Sequence, residues 1–124
     1  MKKLLLASAI ALAPAAAFAD DVFGLWASEP NDEGGFIVVD IKACGSAICG
    51  TIVDARNGAD NSIVGEPIIW DMEARGGGSY RGGTIWAPDT DKEYRSKMSL
   101  SGNNLSVSGC VGPICRSQNW TRTN

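Results

Sequence analysis

From residue 22 onward the chain is a succession of short alternating apolar stretches, each cut off by a cluster of turn residues. Alternation with period two puts apolar side chains on one face of a strand and polar ones on the other. Clusters of Gly, Pro, Asn and Asp then end each strand. The pattern predicts strands at 22–28 ("VFGLWAS"), 36–43, 48–55, 67–72, 79–87, 92–100, 105–110 and 115–122, with turns at 73–78 and 88–91 and a long irregular loop at 56–66. Helical periodicity is weak throughout, and 15 glycines weigh against long helices. The expected fold is all-β, a small antiparallel up-and-down barrel of about eight strands. An open sandwich is the alternative. Closing the sheet removes the exposed edges that a meander this short would carry, and eight strands leave room inside for side chains or one small ligand.

The first residues, "MKKLLLASAIALAPAAAFAD", have a different character. Lys2 and Lys3 precede an apolar run from Leu4 to Ala13, and Ala17-Phe18-Ala19 has the small-x-small form of a cleavage site. Residues 1–19 therefore read as a signal peptide and 20–124 as one domain. The apolar run is short for a bilayer span and Pro14 interrupts it, so no membrane insertion is expected after cleavage. No cysteine follows the cleavage site, so lipid attachment there is not expected. The product is expected to be soluble, periplasmic or secreted. A formal charge of −3, with no basic run, makes nucleic acid a poor partner.

Export bears on the four cysteines. Cys44 and Cys49 lie in "CGSAICG", Cys110 and Cys115 in "CVGPICR". An oxidising compartment favours disulfides. Zinc sites pair cysteines with two to four residues between them and often recruit histidine; here four residues separate each pair and the chain has no histidine. Tight hairpins favour Cys44–Cys49 and Cys110–Cys115. Longer links would close larger loops and stabilise more, so loop entropy leaves all three connectivities open.

The absence of histidine also removes Ser-His-Asp and Cys-His catalysis. The acidic pairs Asp32 with Glu33, Asp71 with Glu73 and Asp89 with Asp91 lie in or beside expected turns, where acids usually serve the backbone. A carboxylate enzyme is thus the minority reading, and neither cofactor nor metal is expected. Asp89, Asp91 and Glu93 alternate as calcium ligands do, but the glycine and closing glutamate of a calcium loop are missing, and a hairpin turn fits better. Gly82 and Gly83 suit a strand that bends.

Strand parity supplies the candidate site. In the last strand Ile114, Arg116, Gln118 and Trp120 share one face. Trp120 belongs inside, so Arg116 and Gln118 are expected inside with it and need polar partners. Tyr94 and Ser96, on a face with Met98 and Leu100, are the candidates. Trp86 is read as sharing a face with Tyr80 and Thr84, and so as lining the same space. Either these groups form a closed polar network or they anchor a ligand within a cavity. Trp70, beside the 56–66 loop, is read as core packing, and the loop as a lid or partner surface.

"GLW" near the start and "NWTR" at the end resemble the lipocalin and wider calycin barrels, in which a G-x-W packs against an arginine of the final strand. The resemblance implies that Gly24, Trp26 and Arg122 close one end, with the guanidinium stacked on the indole. Over nearly the whole mature length, "GLW", "CGSAICGTIV", "GGTIWAPDTDKEYRSKMSL" and "LSVSGCVGPICRSQNWTR" are similar to an uncharacterised bacterial family of small exported proteins, a domain of unknown function. That family commonly carries glycine where Asp91 stands. The resemblance implies a lipocalin-like barrel and no activity. The leading expectation is an exported, non-enzymatic binding protein for a small, partly apolar amphiphile whose acidic or polar group meets Arg116. The alternative is a ligand-free envelope domain that meets another protein.

Overall fold

The computed structural model describes residues 20–124, so the expected signal peptide at 1–19 lies outside the described residues. Eight strands close an antiparallel barrel in sequence order. They are β1 (Gly24–Ala27), β2 (Phe36–Cys44), β3 (Ala47–Arg56), β4 (Pro67–Gly76), β5 (Ser79–Ala87), β6 (Lys92–Ser101), β7 (Asn104–Val111) and β8 (Ile114–Arg122). Each strand pairs with the next, and β8 returns to β1 through Trp26–Arg122 and Ala27–Thr121. The up-and-down order divides the barrel into two ends. The floor holds both chain ends of the described domain and the β2–β3, β4–β5 and β6–β7 turns. The mouth holds the other four connections.

The floor half is packed solid. Trp26, Ile41, Ile48, Ile69, Met72 and Leu105 are fully buried there or at mid-height. Burying a side chain of this size stabilises by roughly 1.5–3 kcal/mol, so this cluster is the main stabiliser of the barrel. Ile37, Val39 and Ile41 share the inner face as parity predicts, because the extra residue at the β2–β3 bulge falls on β3. Val38 faces Asp54 and Val39 faces Ile52, which leaves Val53 unpaired and exposed.

Two expectations about β4 and β5 are corrected. β4 runs on to Gly76 where a turn over 73–78 was expected. Its outer side chains Glu73 and Arg75 stay in solvent, their polar character suits that face, and Ala74 continues the ladder opposite Tyr80. Only Gly77 and Gly78 turn the chain, both with positive φ. Parity also fails in the middle of both strands. Ile69 faces Ile85, but the next inward side chain on β4 is Met72, and on β5, below the buried Gly83, it is Tyr80; each is three residues on rather than two. The kink lies at Asp71 (φ 59°) and Gly82 (φ 81°), both left-handed. Beside it, a Cβ on Gly83 would stand 2.8 Å from Met72 Cε and 2.9 Å from the Trp70 carbonyl, so the strands can approach only without a side chain there. Tyr80 therefore does not share a face with Thr84 and Trp86.

Both disulfides join neighbours within a hairpin, Cys44 to Cys49 and Cys110 to Cys115. The equal spacing hides a difference. Cys110 and Cys115 are directly opposed in the ladder, whereas Cys44 faces Ala47 and reaches Cys49 diagonally. The first bridge ties the floor and the second the mouth.

Candidate functional site

The floor is closed by the residues at the two ends of the strand ladder. The Arg122 guanidinium lies 4.4 Å from the centre of the Trp26 ring. Its two terminal nitrogens donate to the carbonyls of Phe23 (3.0 Å) and Asp21 (2.7 Å), and the Trp26 indole N–H donates to the Val22 carbonyl (2.9 Å). Gly24, at φ +138°, leaves the space: a Cβ there would stand 2.9 Å from the guanidinium. Tyr80 belongs to this end too. It is buried and its hydroxyl donates to Asp20, whose carboxylate also accepts from the Val22 N–H at 3.0 Å. Burial, then the hydrogen bond to Asp20, push the Tyr80 phenol well above the ordinary tyrosine range. Sequence parity missed Asp20, because it precedes the first strand.

The mouth is open, and a cavity of about 680 Å³ occupies it. Buried Trp120, Val107 and Ile68 form its base. Ile37, Ile85 and Tyr94 form the walls, with Gly109 as a gap between them. A Cβ on Gly109 would lie 3.3 Å from Ile85 Cγ2 and 3.5 Å from Tyr94 Cβ, so its lack of a side chain leaves room beside that cross-strand pair. The β8 face carries Arg116 and Gln118 up the wall to the rim, where Val111 and Ile114 are 65% and 70% exposed. Pro88, Asp89 and Thr90 of the β5–β6 turn complete the rim.

Arg116, Gln118 and Trp120 share the inner face as expected, but the closed polar network does not form. Arg116 and Gln118 stand above Trp120, where the barrel is open, and both are exposed. Among the described residues no hydrogen bond or ion pair engages the Arg116 guanidinium, while Gln118 accepts from the Trp120 indole N–H at 3.0 Å. Tyr94 lines the cavity. Ser96 does not: it is buried lower on β6 and donates to the Ser108 carbonyl at 2.7 Å. Tyr80 is excluded by the kink in β5. Trp86 does reach the cavity, although it pairs with Glu93 rather than with an inward residue, and its indole N–H donates to Asp91 at 2.8 Å. Ile114 is on the face that parity gave it, and Val111, its partner across the ladder and not singled out from the sequence, joins it at the rim.

The 56–66 loop is not a lid. Gly65 donates to the Ile52 carbonyl and Ile52 to that of Glu66, which strap the loop to β3, and none of its residues lines the cavity. Asp60 caps its one 3-10 turn, Asn61–Ile63, by accepting from the Ser62 N–H and hydroxyl, and these bonds hold its carboxyl below the usual range. Trp70 is half-buried on β4 and pairs with Thr84 on the outer side.

Residues 24–122, nearly the whole barrel, match the family described as "Uncharacterized protein conserved in bacteria (DUF2147)". The chain belongs to this family. Among solved structures, one described as "Protein HP1028 from the human pathogen Helicobacter pylori belongs to the lipocalin family" is similar at a TM-score of 0.70. The match covers 86% of this chain and 85% of that one at 13% identity, a likeness of fold. No curated protein matches the sequence. This DUF2147 barrel holds Asp91 at φ 53°, with the Asp91 N–H bonded to the Ala87 carbonyl. That left-handed backbone is one that glycine adopts freely. The aspartate adds the bond to Trp86, which a glycine could not make.

Proposed function

We propose that this DUF2147 protein is exported and that its barrel mouth binds one small acidic amphiphile, without catalysis. The observation that carries the reading is the mouth cavity. It has an apolar base and walls, a volume within the range of small-ligand sites, and one guanidinium with no protein partner at its upper wall. Arg116 is too exposed to serve as a buried anchor. It suits a head group that stays at the water boundary while the apolar part lies on Trp120, Val107 and Ile85. Asp89, the carboxylate in the lining, sits on the rim and opposes an anion placed near it. The packed lower barrel excludes a long chain and limits the ligand to what the mouth can hold.

The test is a calorimetric series of short and medium fatty acids against the parent and Arg116→Ala. A bound member should weaken by roughly tenfold in the variant, the value of one charge-assisted contact. Binding inside the mouth that is indifferent to Arg116→Ala rejects the acidic head group. No binding of any member rejects the class. Export rests on the basic start, the apolar run and the A-x-A at 17–19, together with two disulfides. Periplasmic protein should have a mass that begins at Asp20.

A second reading is supported by the exposed Val111–Ile114 pair at the tip of the β7–β8 hairpin. Such a pair also suits contact with another envelope protein. Val111→Ser with Ile114→Ser should then abolish co-purification of a partner, whereas Arg116→Ala, which leaves the apolar tip intact, should not; partner capture unchanged in the double variant rejects this reading.

A further inference from the structure

A second concavity lies on the outer face of the barrel, reaching from the middle of β5 to the mouth-end tip of the β7–β8 hairpin. One of its walls is the kinked part of β5 at Gly82 and Gly83. The other is the tip of the β7–β8 hairpin, Gly112 and Pro113, with the Cys110–Cys115 bridge behind it. Its volume is about 410 Å³. Three cations line it, Arg81 from β5 and Arg95 and Lys97 from β6, and no carboxylate does.

These cations are not consumed by the protein. The ion pairs among the described residues use Lys42, Arg56 and Arg75. Glu73, which faces Arg81 across β4–β5, is bonded to Arg75 at 3.3 Å. Glu93, on the outer row of β6, lies outside the lining. Among the described residues no hydrogen bond or ion pair engages the side chains of Arg81 or Lys97. Arg95 gives one terminal nitrogen to the Gly112 carbonyl at 3.1 Å, which fixes both the guanidinium and the hairpin tip. Two cations without a protein partner and one positioned guanidinium thus line a groove between two walls, one at a glycine kink, where the Arg75-bonded Glu73 carboxyl stands beside Gly82, and one at a disulfide.

Like charges converge at a cost unless something neutralises them. The chain as a whole is acidic, at −3, and repels anions at long range. At about 0.15 M salt that field is screened beyond roughly 8 Å, so an anion in the groove responds to the local positive cluster. Guanidinium groups meet tetrahedral oxyanions in a bidentate manner, and a lysine adds a point charge. We propose that this outer groove is a separate binding site for a phosphate-type oxyanion, free or carried on a lipid head group, held by Arg81, Arg95 and Lys97. The site is independent of the mouth: it shares no lining residue with it.

The experiment is amide NMR of the mature, disulfide-bonded protein. Inorganic phosphate is titrated at constant ionic strength against chloride. Saturable shifts are expected at Gly82, Thr84 and Gly112, with the amides of Trp120 and Val107 unmoved. Arg81→Gln with Lys97→Gln, both exposed and away from the core, should weaken phosphate by about tenfold or more. Arg95 is left in place because it also ties the hairpin. A parallel arm uses vesicles of phosphatidylglycerol and of phosphatidylcholine. Broadening at the same amides with the anionic vesicles only, reversed by phosphate, assigns a head group. A response to phosphate without one to vesicles assigns the free anion. The site is overturned if chloride reproduces the shifts, if the double variant titrates like the parent, or if neither phosphate nor anionic vesicles perturb the groove.

Discussion

Trp26 shows how much one side chain can hold. It is fully buried, and its indole is engaged on its face by Arg122 and at its N–H by Val22. Trp26→Ala removes the core volume and the stack together and should cost about 3–5 kcal/mol in denaturant melts. Arg122→Ala should cost less, about 1–3 kcal/mol, because its carbonyl partners can turn to water. Equal midpoints for parent and both variants would disprove the floor. Tyr80 makes the second residue-scale prediction, and its sign follows from the raised phenol. The folded value lies above the unfolded one of about 10, so the contribution is complete below that pH and is lost as pH rises beyond it. Stability measured from about pH 8 to pH 11 should therefore fall more steeply in the parent than in Tyr80→Phe. Parallel curves would show that Tyr80 titrates normally. The G-x-W and the last arginine were legible as a pair because the resemblance supplied the contact. Asp20 was not, since nothing in its local sequence announces a partner sixty positions along the chain.

At the scale of elements, strand identity follows from alternation and strand ends from turn residues, which is why β5 was placed at its observed bounds from the sequence. Where polar residues extend a ladder on the solvent side, as Glu73 and Arg75 do in β4, the same rule stops too soon. Parity carries from residue to residue only while the ladder is regular. It held along β6 and β8, and so Tyr94 and Arg116 were placed on the right face. It failed at Asp71 and Gly82, and with it went the grouping of Tyr80 with Trp86. The disulfides divide between the two ends, and this gives an element-scale prediction. Each short loop should contribute about 2 kcal/mol in the chain-entropy treatment. Replacing Cys110 and Cys115 by serine should raise amide exchange across Val111–Ile114 and weaken any mouth ligand. Replacing Cys44 and Cys49 should cost similar stability and leave the mouth unchanged. Loss of mouth binding in both variants alike would show that the hairpins are not independent.

At the scale of the whole molecule, closure depends on the shortest seam. β1 meets β8 through two residue pairs, whereas β7 and β8 share eight. The bonds from the Thr123 N–H to the Leu25 carbonyl (2.9 Å) and from the Leu25 N–H to the Asn124 side chain (3.2 Å) lengthen that seam. Removal of residues 123 and 124 should therefore destabilise by about 1–2 kcal/mol, for two hydrogen bonds at ordinary net strength. Hydrogen exchange should accelerate first in β1. Unchanged exchange there would place the weakest seam elsewhere.

The linear pattern of apolar and turn residues was enough for the all-β class, the approximate strand count and the faces of the regular strands, and it favoured the local cysteine pairing that the structure shows. Those are properties of neighbours in sequence, and a two-residue period transmits them reliably. The height of a residue in the barrel is a different matter. Arg116 and Tyr80 both have tertiary surroundings that alternation does not encode: one stands in an open mouth and the other deep in the floor. That outcome depends on where the sheet kinks, how the ends of β1 and β8 meet, and how much side-chain volume fills each level. These are set by contacts between strands far apart in the chain, so the open mouth and the outer groove came into view only once the barrel was closed.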